Sequence, residues 1–209
     1  MRTAPTREDR RNRTRAELIA VAGRRFSADG YHATSLDAVA DEAGFTKGAV
    51  YSNFAGKDEL FVAVLGAHFA SRVAVYEQLI VEGDTIEDVY RSVGRFMAEA
   101  DRREPAWSPL LLEFWSHASR REELQRVVVA QREAFLETIA GLIARFAAHH
   151  GVRFRIPVHE VARASGALYR GLTVERMLDP STVTPEQFAE LHAAFLTGLQ
   201  ETAPDAAPS

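Results

Sequence analysis

Lys47, Gly48, Tyr51, Ser52 and Asn53 fall within seven consecutive positions and combine one cation, three hydrogen-bonding side chains and a glycine, with no carboxylate among them. The chain carries 29 acidic residues against 25 basic ones, so an acid-free cluster is a local departure from its composition. Ammonium and hydroxyl groups suit phosphate oxygens, lysine and asparagine side chains suit base edges, and a glycine lets a backbone come close. Other titratable groups offer less. Glu113 and His117 are four apart, His149 and His150 precede Gly151, and His159 and Glu160 are adjacent, so a metal site can be drawn from them. No HExxH, paired ExxH, GxSxG, GxGxxG or P-loop pattern accompanies them. The absence of cysteine removes disulfides and thiolate zinc sites and fits a reducing compartment. No metal or cofactor is therefore expected. A metal-dependent helical enzyme is the competing class, and a purely structural helical adaptor is a third, although it would leave Lys47, Tyr51 and Lys57 without a role.

The elements that must hold this cluster are legible around it. Leu36, Val39, Ala40 and Ala43 recur at i, i+3, i+4 and i+7, one face of a short helix with Thr34 or Ser35 as N-cap. Gly44 can close that helix in the left-handed conformation, and Phe45 plugs the turn. Thr46 can cap a second helix whose buried side is Val50 and Phe54. Upstream, Leu18, Ile19, Ala22 and Phe26 form an apolar stripe closed by Asp29-Gly30-Tyr31. Downstream, Gly56 precedes a long helix with Asp58 and Glu59 in its first turn, where the helix dipole favours negative charge, and Leu60, Phe61, Val64 and Leu65 anchor it.

Further along, breakers at Gly83-Asp84, Glu104-Pro105, Pro109, His150-Gly151, Pro157, Asp179-Pro180 and Thr184-Pro185 separate six segments of helical length, approximately 57–81, 85–102, 106–118, 121–149, 158–178 and 185–201. With the first three, the expected fold is all-α with about nine helices. A helix-turn-helix domain is expected over 13–57 and a larger helical domain over 58–202, with residues 1–12 and 203–209 as disordered tails. Residues 1–57 hold 10 basic and 7 acidic residues, net +3, and the remainder 15 and 22, net −7. The basic end is thus the amino-terminal one. Arg7, Arg10, Arg11, Arg13 and Arg15 stand ahead of the expected first helix, either as a solvated tail or as an arm for the DNA backbone or minor groove. No uninterrupted apolar run approaches the roughly 20 residues that span a bilayer, and no apolar segment follows the Arg-rich start, so a cytoplasmic protein without a membrane partner is expected.

The segment Thr34-Ser35, Ala43-Gly44, Thr46-Lys47-Gly48, Val50-Tyr51, Phe54 and Lys57 resembles the helix-turn-helix of TetR-type transcriptional regulators. The stretch Leu111 to Ala118 is similar to the sixth-helix region of the subgroup with a choline-repressor-like carboxyl domain. The resemblance implies a sequence-specific DNA-binding regulator, a repressor released from a palindromic operator by a small-molecule effector. Ser35, Thr46, Tyr51 and Lys57 would hold phosphates, Lys47 and Asn53 would reach base edges, Gly48 would permit close approach, and Ser52 would lie beside them. It also implies a homodimer through the last two helices. Ala162, Ser165, Tyr169 and Leu172 would form one face and Phe188, Leu191, Phe195 and Leu199 the other, while the residues alone leave open whether those faces simply close a monomer core. Two recognition helices would then lie roughly 34–36 Å apart or somewhat more on double-stranded DNA. Phe69, Trp107, Leu111, Phe114, His117, Phe135 and Tyr169 are candidates to line an effector cavity, with plain core as the alternative for each.

Overall fold

The computed structural model describes residues 6–83 and 85–201. The tail expected at 203–209, like the first five residues, lies outside them. Nine helices span the described residues: α1 (Arg7–Asp29), α2 (Leu36–Ala43), α3 (Lys47–Asn53), α4 (Lys57–Glu82), α5 (Ile86–Arg103), α6 (Trp107–Ala118), α7 (Glu122–His150), α8 (Val158–Leu178) and α9 (Pro185–Gly198). Extended pairing among the described residues is limited to one antiparallel bridge between Phe154 and Gln200. The fold is all-α, as the periodicity indicated.

Two boundaries differ from expectation, each for a local reason. Helix α1 begins at Arg7, so residues 7–12 are its first turns and not a tail. Thr6 and Asp9 build a reciprocal cap there: Asp9 N donates to Thr6 Oγ1 at 3.1 Å and Thr6 N donates to Asp9 Oδ2 at 2.8 Å. Helix α9 stops at Gly198, short of residue 201. Beyond it Arg155 N donates to Leu199 O at 2.9 Å and Glu201 N to Arg153 O at 2.8 Å, which draws the chain into the bridge.

The chain packs as two compact units, one running up to Ser71 together with Pro105–Gln131, the other Arg72–Glu104 together with the chain from Arg132. This division departs from the expected boundary at 57/58: α4 and α7 each pass through both units, and α6 belongs with the amino-terminal helices. The first three helices do not close their core alone. Leu60, Phe61 and Val64 from α4 and Leu110, Phe114 and Ala118 from α6 complete it with Leu18, Val21, Ala22, Phe26, Tyr31, Val39, Val50 and Phe54. The Phe61 and Phe114 rings lie 4.1 Å apart, and Tyr31 meets Phe114 edge-on at 5.1 Å. Each buried ring contributes about 1.5–3 kcal/mol. The span Lys57–Val81 is the described helix long and apolar enough to cross a bilayer, with mean hydropathy 1.3 in its best window, yet its Leu60, Phe61, Val64 and Leu65 are buried in the protein.

In the second unit α9 lies along α5 at Gly94, where a Cβ would fall 2.9 Å from both Ala189 Cα and His192 Cβ. His192 is fully buried, its Nδ1 3.1 Å from Tyr90 O and its Nε2 2.7 Å from Ser165 Oγ. A carbonyl only accepts, so Nδ1 carries the hydrogen and Nε2 accepts from the Ser165 hydroxyl. Burial holds this imidazole below its ordinary pKa against the opposing pull of the Tyr90 carbonyl.

Candidate nucleic-acid interface

The α2–turn–α3 unit is fixed by three backbone devices. Ser35 Oγ accepts from Ala38 N at 3.1 Å at the start of α2. Gly44 closes that helix with φ of 70°, and Phe45 N reaches back to Ala40 O at 3.0 Å. Thr46 Oγ1 accepts from Ala49 N at 3.2 Å at the start of α3. Both capping hydroxyls accept from the backbone and so retain their own O–H as donors toward a phosphate. Val50 and Phe54 are buried, which turns Lys47, Gly48, Tyr51 and Ser52 outward, with Tyr51 57% exposed. A Cβ on Gly48 would meet nothing closer than Thr46 Oγ1 at 3.9 Å, so that surface is open to another molecule's backbone.

Three side chains are engaged in ways the sequence did not show. Lys47 forms an ion pair with Asp37 of α2, so the face is not acid-free, and this contact raises the Lys47 pKa. The carboxylate comes from a neighbouring helix ten residues earlier and is invisible to a reading of α3 alone. Asn53 was expected to reach a base edge; its Nδ2 donates to Ala49 O at 2.8 Å within its own helix and its Oδ1 is buried without a partner. The polar side chains that α3 leaves on its exposed surface are Lys47, Tyr51 and Ser52. Lys57 was expected on a phosphate; its Nζ donates to His32 O at 3.0 Å and Thr34 O at 3.1 Å and lies 4.7 Å from the centroid of the Tyr31 ring. It fastens the start of α4 to the α1–α2 turn and keeps one N–H for an outside acceptor.

Arg15 packs against α3 although it was read as part of a run ahead of the first helix. Its Nη1 donates to Asn53 O at 3.1 Å and its guanidinium sits 4.2 Å from the centroid of Phe54, at the carboxyl end of α3. A cation there complements the helix dipole and sets the pose of α3.

Behind this surface a polar cluster joins the α1–α2 turn to α4 and α6. Tyr31 OH donates to Asp58, whose Oδ1 also lies 3.2 Å from His117 Nε2 and whose Oδ2 accepts from Arg121 at 3.0 Å. Burial pushes the Asp58 carboxyl up, but the Tyr31 and His117 hydrogen bonds and the nearby positive charge prevail and hold it below the ordinary range. Burial, then the bond to Asp58, pushes the Tyr31 phenol well above its usual value. Glu113 accepts from Tyr31 N at 3.1 Å and His32 N at 2.9 Å. Glu113 and His117, the pair that suggested a metal, thus position the turn. Among the described residues no group of three His, Asp or Glu side chains has the arrangement of a metal site.

The seven cavity candidates do not form a single group within either unit. Phe69, Trp107, Leu111, Phe114 and His117 belong to the first unit, where Phe114 is core, His117 serves Asp58 and Trp107 stacks on His68 at 3.7 Å. Phe135 and Tyr169 belong to the second. There Tyr169 meets Phe188 edge-on at 6.0 Å, and its hydroxyl is 3.4 Å from Asp101 Oδ1. The interface candidates divide similarly. Ala162, Ser165, Tyr169, Leu172, Phe188, Phe195 and Leu199 contact the unit's own interior, whereas Leu191 is 48% exposed. The apolar groups left outside on α8 are Val174, Met177 and Leu178.

Residues 18–64 match the profile of bacterial regulatory proteins of the tetR family, and residues 87–201 match the carboxyl-terminal domain of BetI-type transcriptional repressors. The chain belongs to the TetR family. It is 37% identical over 70 residues to the transcriptional activator FasR of Mycolicibacterium smegmatis, spanning 34% of this chain and 32% of that relative. It is 27% identical over 126 residues to the repressor KstR2 of Mycobacterium tuberculosis, 60% of this chain and 58% of the relative. With the repressor TetR of Mycobacteroides abscessus it shares 29% over 164 residues, 78% of this chain and 74% of the other. Among solved structures, a TetR-family regulator from Mesorhizobium loti superposes with TM-score 0.74 at 20% identity, covering 92% and 99% of the two chains. FadR of Bacillus subtilis in complex with stearoyl-CoA gives 0.65 at 13% identity, covering 87% and 96%. A regulator from Saccharomonospora viridis in complex with choline gives 0.64 at 16%, covering 91% and 100%. These likenesses establish the shared fold.

Proposed function

We propose that this TetR-family protein is a cytoplasmic, homodimeric transcriptional repressor that reads a palindromic operator in double-stranded DNA and releases it on binding a small-molecule effector. The observation that carries the DNA reading is the exposed surface of α3, where Lys47, Gly48, Tyr51 and Ser52 are presented by a capped α2–turn–α3 frame. Tyr51, the two capping hydroxyls and the remaining N–H of Lys57 set register on phosphates, and Lys47 donates to guanine acceptors after exchanging Asp37 for DNA. Two of the relatives are repressors and one is an activator, so repression is the reading the majority supports.

Effector binding is supported by the complexes of fold relatives with stearoyl-CoA and choline. Within the second unit of this chain, Arg176 is 3.6 Å from Asp101 and 3.5 Å from Ala98 O, while its buried Nε has no partner. Tyr169 lies beside this loosely made pair, and Tyr76 packs edge-on to Phe96 at 5.3 Å in the same unit. A buried arginine Nε without a hydrogen-bond partner, with aromatic rings near it, suits a ligand with an apolar body and a polar head. Binding there would act through α4, which runs continuously from this unit into the one that carries α3, and change the spacing of the two recognition helices.

The test is selection of bound duplexes from a randomised library by the purified protein, with Tyr51→Ala in parallel. Recovery of an inverted repeat by the wild type and none by the variant supports the reading. Recovery of unrelated sequences by both overturns it.

A further inference from the structure

Helix α1 outruns the core it belongs to. Its buried stripe of Leu18, Val21, Ala22 and Phe26 continues toward the amino terminus, at 3.6 residues per turn, through Thr14, Arg11 and Arg7, with Arg15 and Arg10 on its two flanks. The face that is apolar over the core becomes cationic where the core ends. Arg15 shows where that face looks, because it rests on Phe54 and on Asn53 O at the end of α3. Arg11 stands about 6 Å and Arg7 about 12 Å further along the axis. Both are exposed, as is Arg10, and none of the three is paired with a carboxylate among the described residues.

The nearby acids do not neutralise this face. Asp9 lies on the far side of the helix, bound to the backbone and hydroxyl of Thr6, and Glu8 falls to one edge. The Thr6–Asp9 cap keeps the extension helical and so holds the arginines in fixed register. A helical, self-repelling row of cations beside a DNA-reading helix is complementary to a phosphate backbone. The match to the tetR-family profile begins only at residue 18, so the extension lies outside it.

We propose that Arg7, Arg10 and Arg11 form a rigid cationic rail that lies along the phosphates of duplex DNA beside the groove entered by α3, extending each half-site contact outward. The proposal rests on the DNA-reading role of α3 given above. The rail adds affinity and salt dependence and leaves the sequence preference to Lys47 and its neighbours.

The experiment uses the full-length protein, the triple variant Arg7→Gln, Arg10→Gln, Arg11→Gln, the single variant Arg11→Gln and Tyr51→Ala. Glutamine keeps helix propensity near that of arginine, and circular dichroism confirms the fold of each. The probes are the duplex recovered by selection, in a 40-base-pair form and trimmed to the inverted repeat alone, titrated by fluorescence anisotropy at several salt concentrations between about 50 and 200 mM. For the triple variant the log–log salt slope becomes shallower by about 0.9 for each phosphate lost per protomer, and for Arg11→Gln by about one such step. Trimming weakens the wild type but not the triple variant, and both prefer the same sequence. An unchanged slope and an unchanged response to trimming in the triple variant overturn the rail while leaving the α3 reading intact. If the wild type prefers no duplex and Tyr51→Ala matches it, the α3 reading has failed and the rail falls with it.

Discussion

Glu113 of α6 accepts the backbone N–H of Tyr31 at 3.1 Å, fastening α6 to the turn that ends α1. Its second oxygen takes His32 N, and its carboxylate lies against Gly30, whose φ of 82° opens the turn toward it. Glu113→Ala leaves both amides without their acceptor and should lower stability by about 1–3 kcal/mol. Because the same turn supplies the carbonyls that hold Lys57, operator affinity should fall as well. Urea unfolding together with anisotropy checks both. Full stability with lost binding would mean that Glu113 acts on DNA directly and not through the turn.

Helix number, the α2–turn–α3 frame and most helix ends were legible in the sequence because each depends on neighbours within four residues. Thr46 caps α3, Gly44 closes α2, and Val50 with Phe54 faces inward, all readable from spacing. What escaped were side chains whose partners are remote in sequence. Asp37 neutralises Lys47 across the turn, Arg15 meets Asn53 at a separation of 38 residues, and His117 meets Asp58 at 59. The apolar positions of α8 and α9 were found correctly, while periodicity left open whether a second copy or the chain itself covers them, because it identifies a buried face and not what buries it. Gly94 of α5 lets the α9 face be covered from within the same chain.

Gly94→Ala places a methyl group 2.9 Å from Ala189 Cα and from His192 Cβ. One contact is backbone and the other a side chain held by two hydrogen bonds, so neither yields without moving α9. The expected outcome is a loss of about 1–3 kcal/mol from overpacking, against the small gain that alanine brings to an exposed helix. Chemical denaturation of the variant decides it. A stability equal to or above wild type would show that α5 and α9 can separate freely.

His192 should make the protein acid-sensitive. Its imidazole is kept neutral in the fold, chiefly by burial, so the unfolded chain binds more protons than the native one below the ordinary histidine pKa of about 6.5. Stability contributed by this site is therefore full at neutral pH and declines as pH falls through about 6.5 toward the lower native value. His192→Gln removes the titrating group and should flatten the melting temperature between about pH 7 and 5, even where the variant melts lower overall. Parallel profiles for the two proteins would assign the acid response to other groups.

Asp37→Asn should strengthen DNA binding. Lys47 pairs with this carboxylate in the free protein, and on DNA the carboxylate would face phosphates. Removing its charge abolishes both the exchange and the repulsion, so affinity should rise severalfold at low salt and the gain should fade as ions screen it within about 8–10 Å. Selectivity should hold, since Lys47 still donates to the same base. Anisotropy against the selected and a scrambled duplex at two salt concentrations checks this. Weaker binding would mean that Asp37 is needed to aim Lys47.

The exposed apolar groups of α8, together with Leu191 from the expected set, form the surface through which the proposed homodimer would close. Leu178 is 82% exposed, and Val174, Met177 and Leu191 are exposed apolar groups on the same two helices. Ala167 and Gly171 precede Val174 and Leu178 on one stripe of α8, small residues that permit close approach of a second helix. Burying such a leucine contributes about 1.5–3 kcal/mol, and two-fold symmetry counts it twice. Leu178→Glu should thus weaken dimerisation by roughly two to four orders of magnitude while leaving the monomer folded. Phe188→Ala, at a buried site that contacts Tyr169, should lower the melting temperature by opening a cavity and leave the association constant of the folded fraction unchanged. Sedimentation equilibrium separates the two effects. A Leu178→Glu protein that remains dimeric would remove α8 from the interface and return the question to the half-buried side of α9.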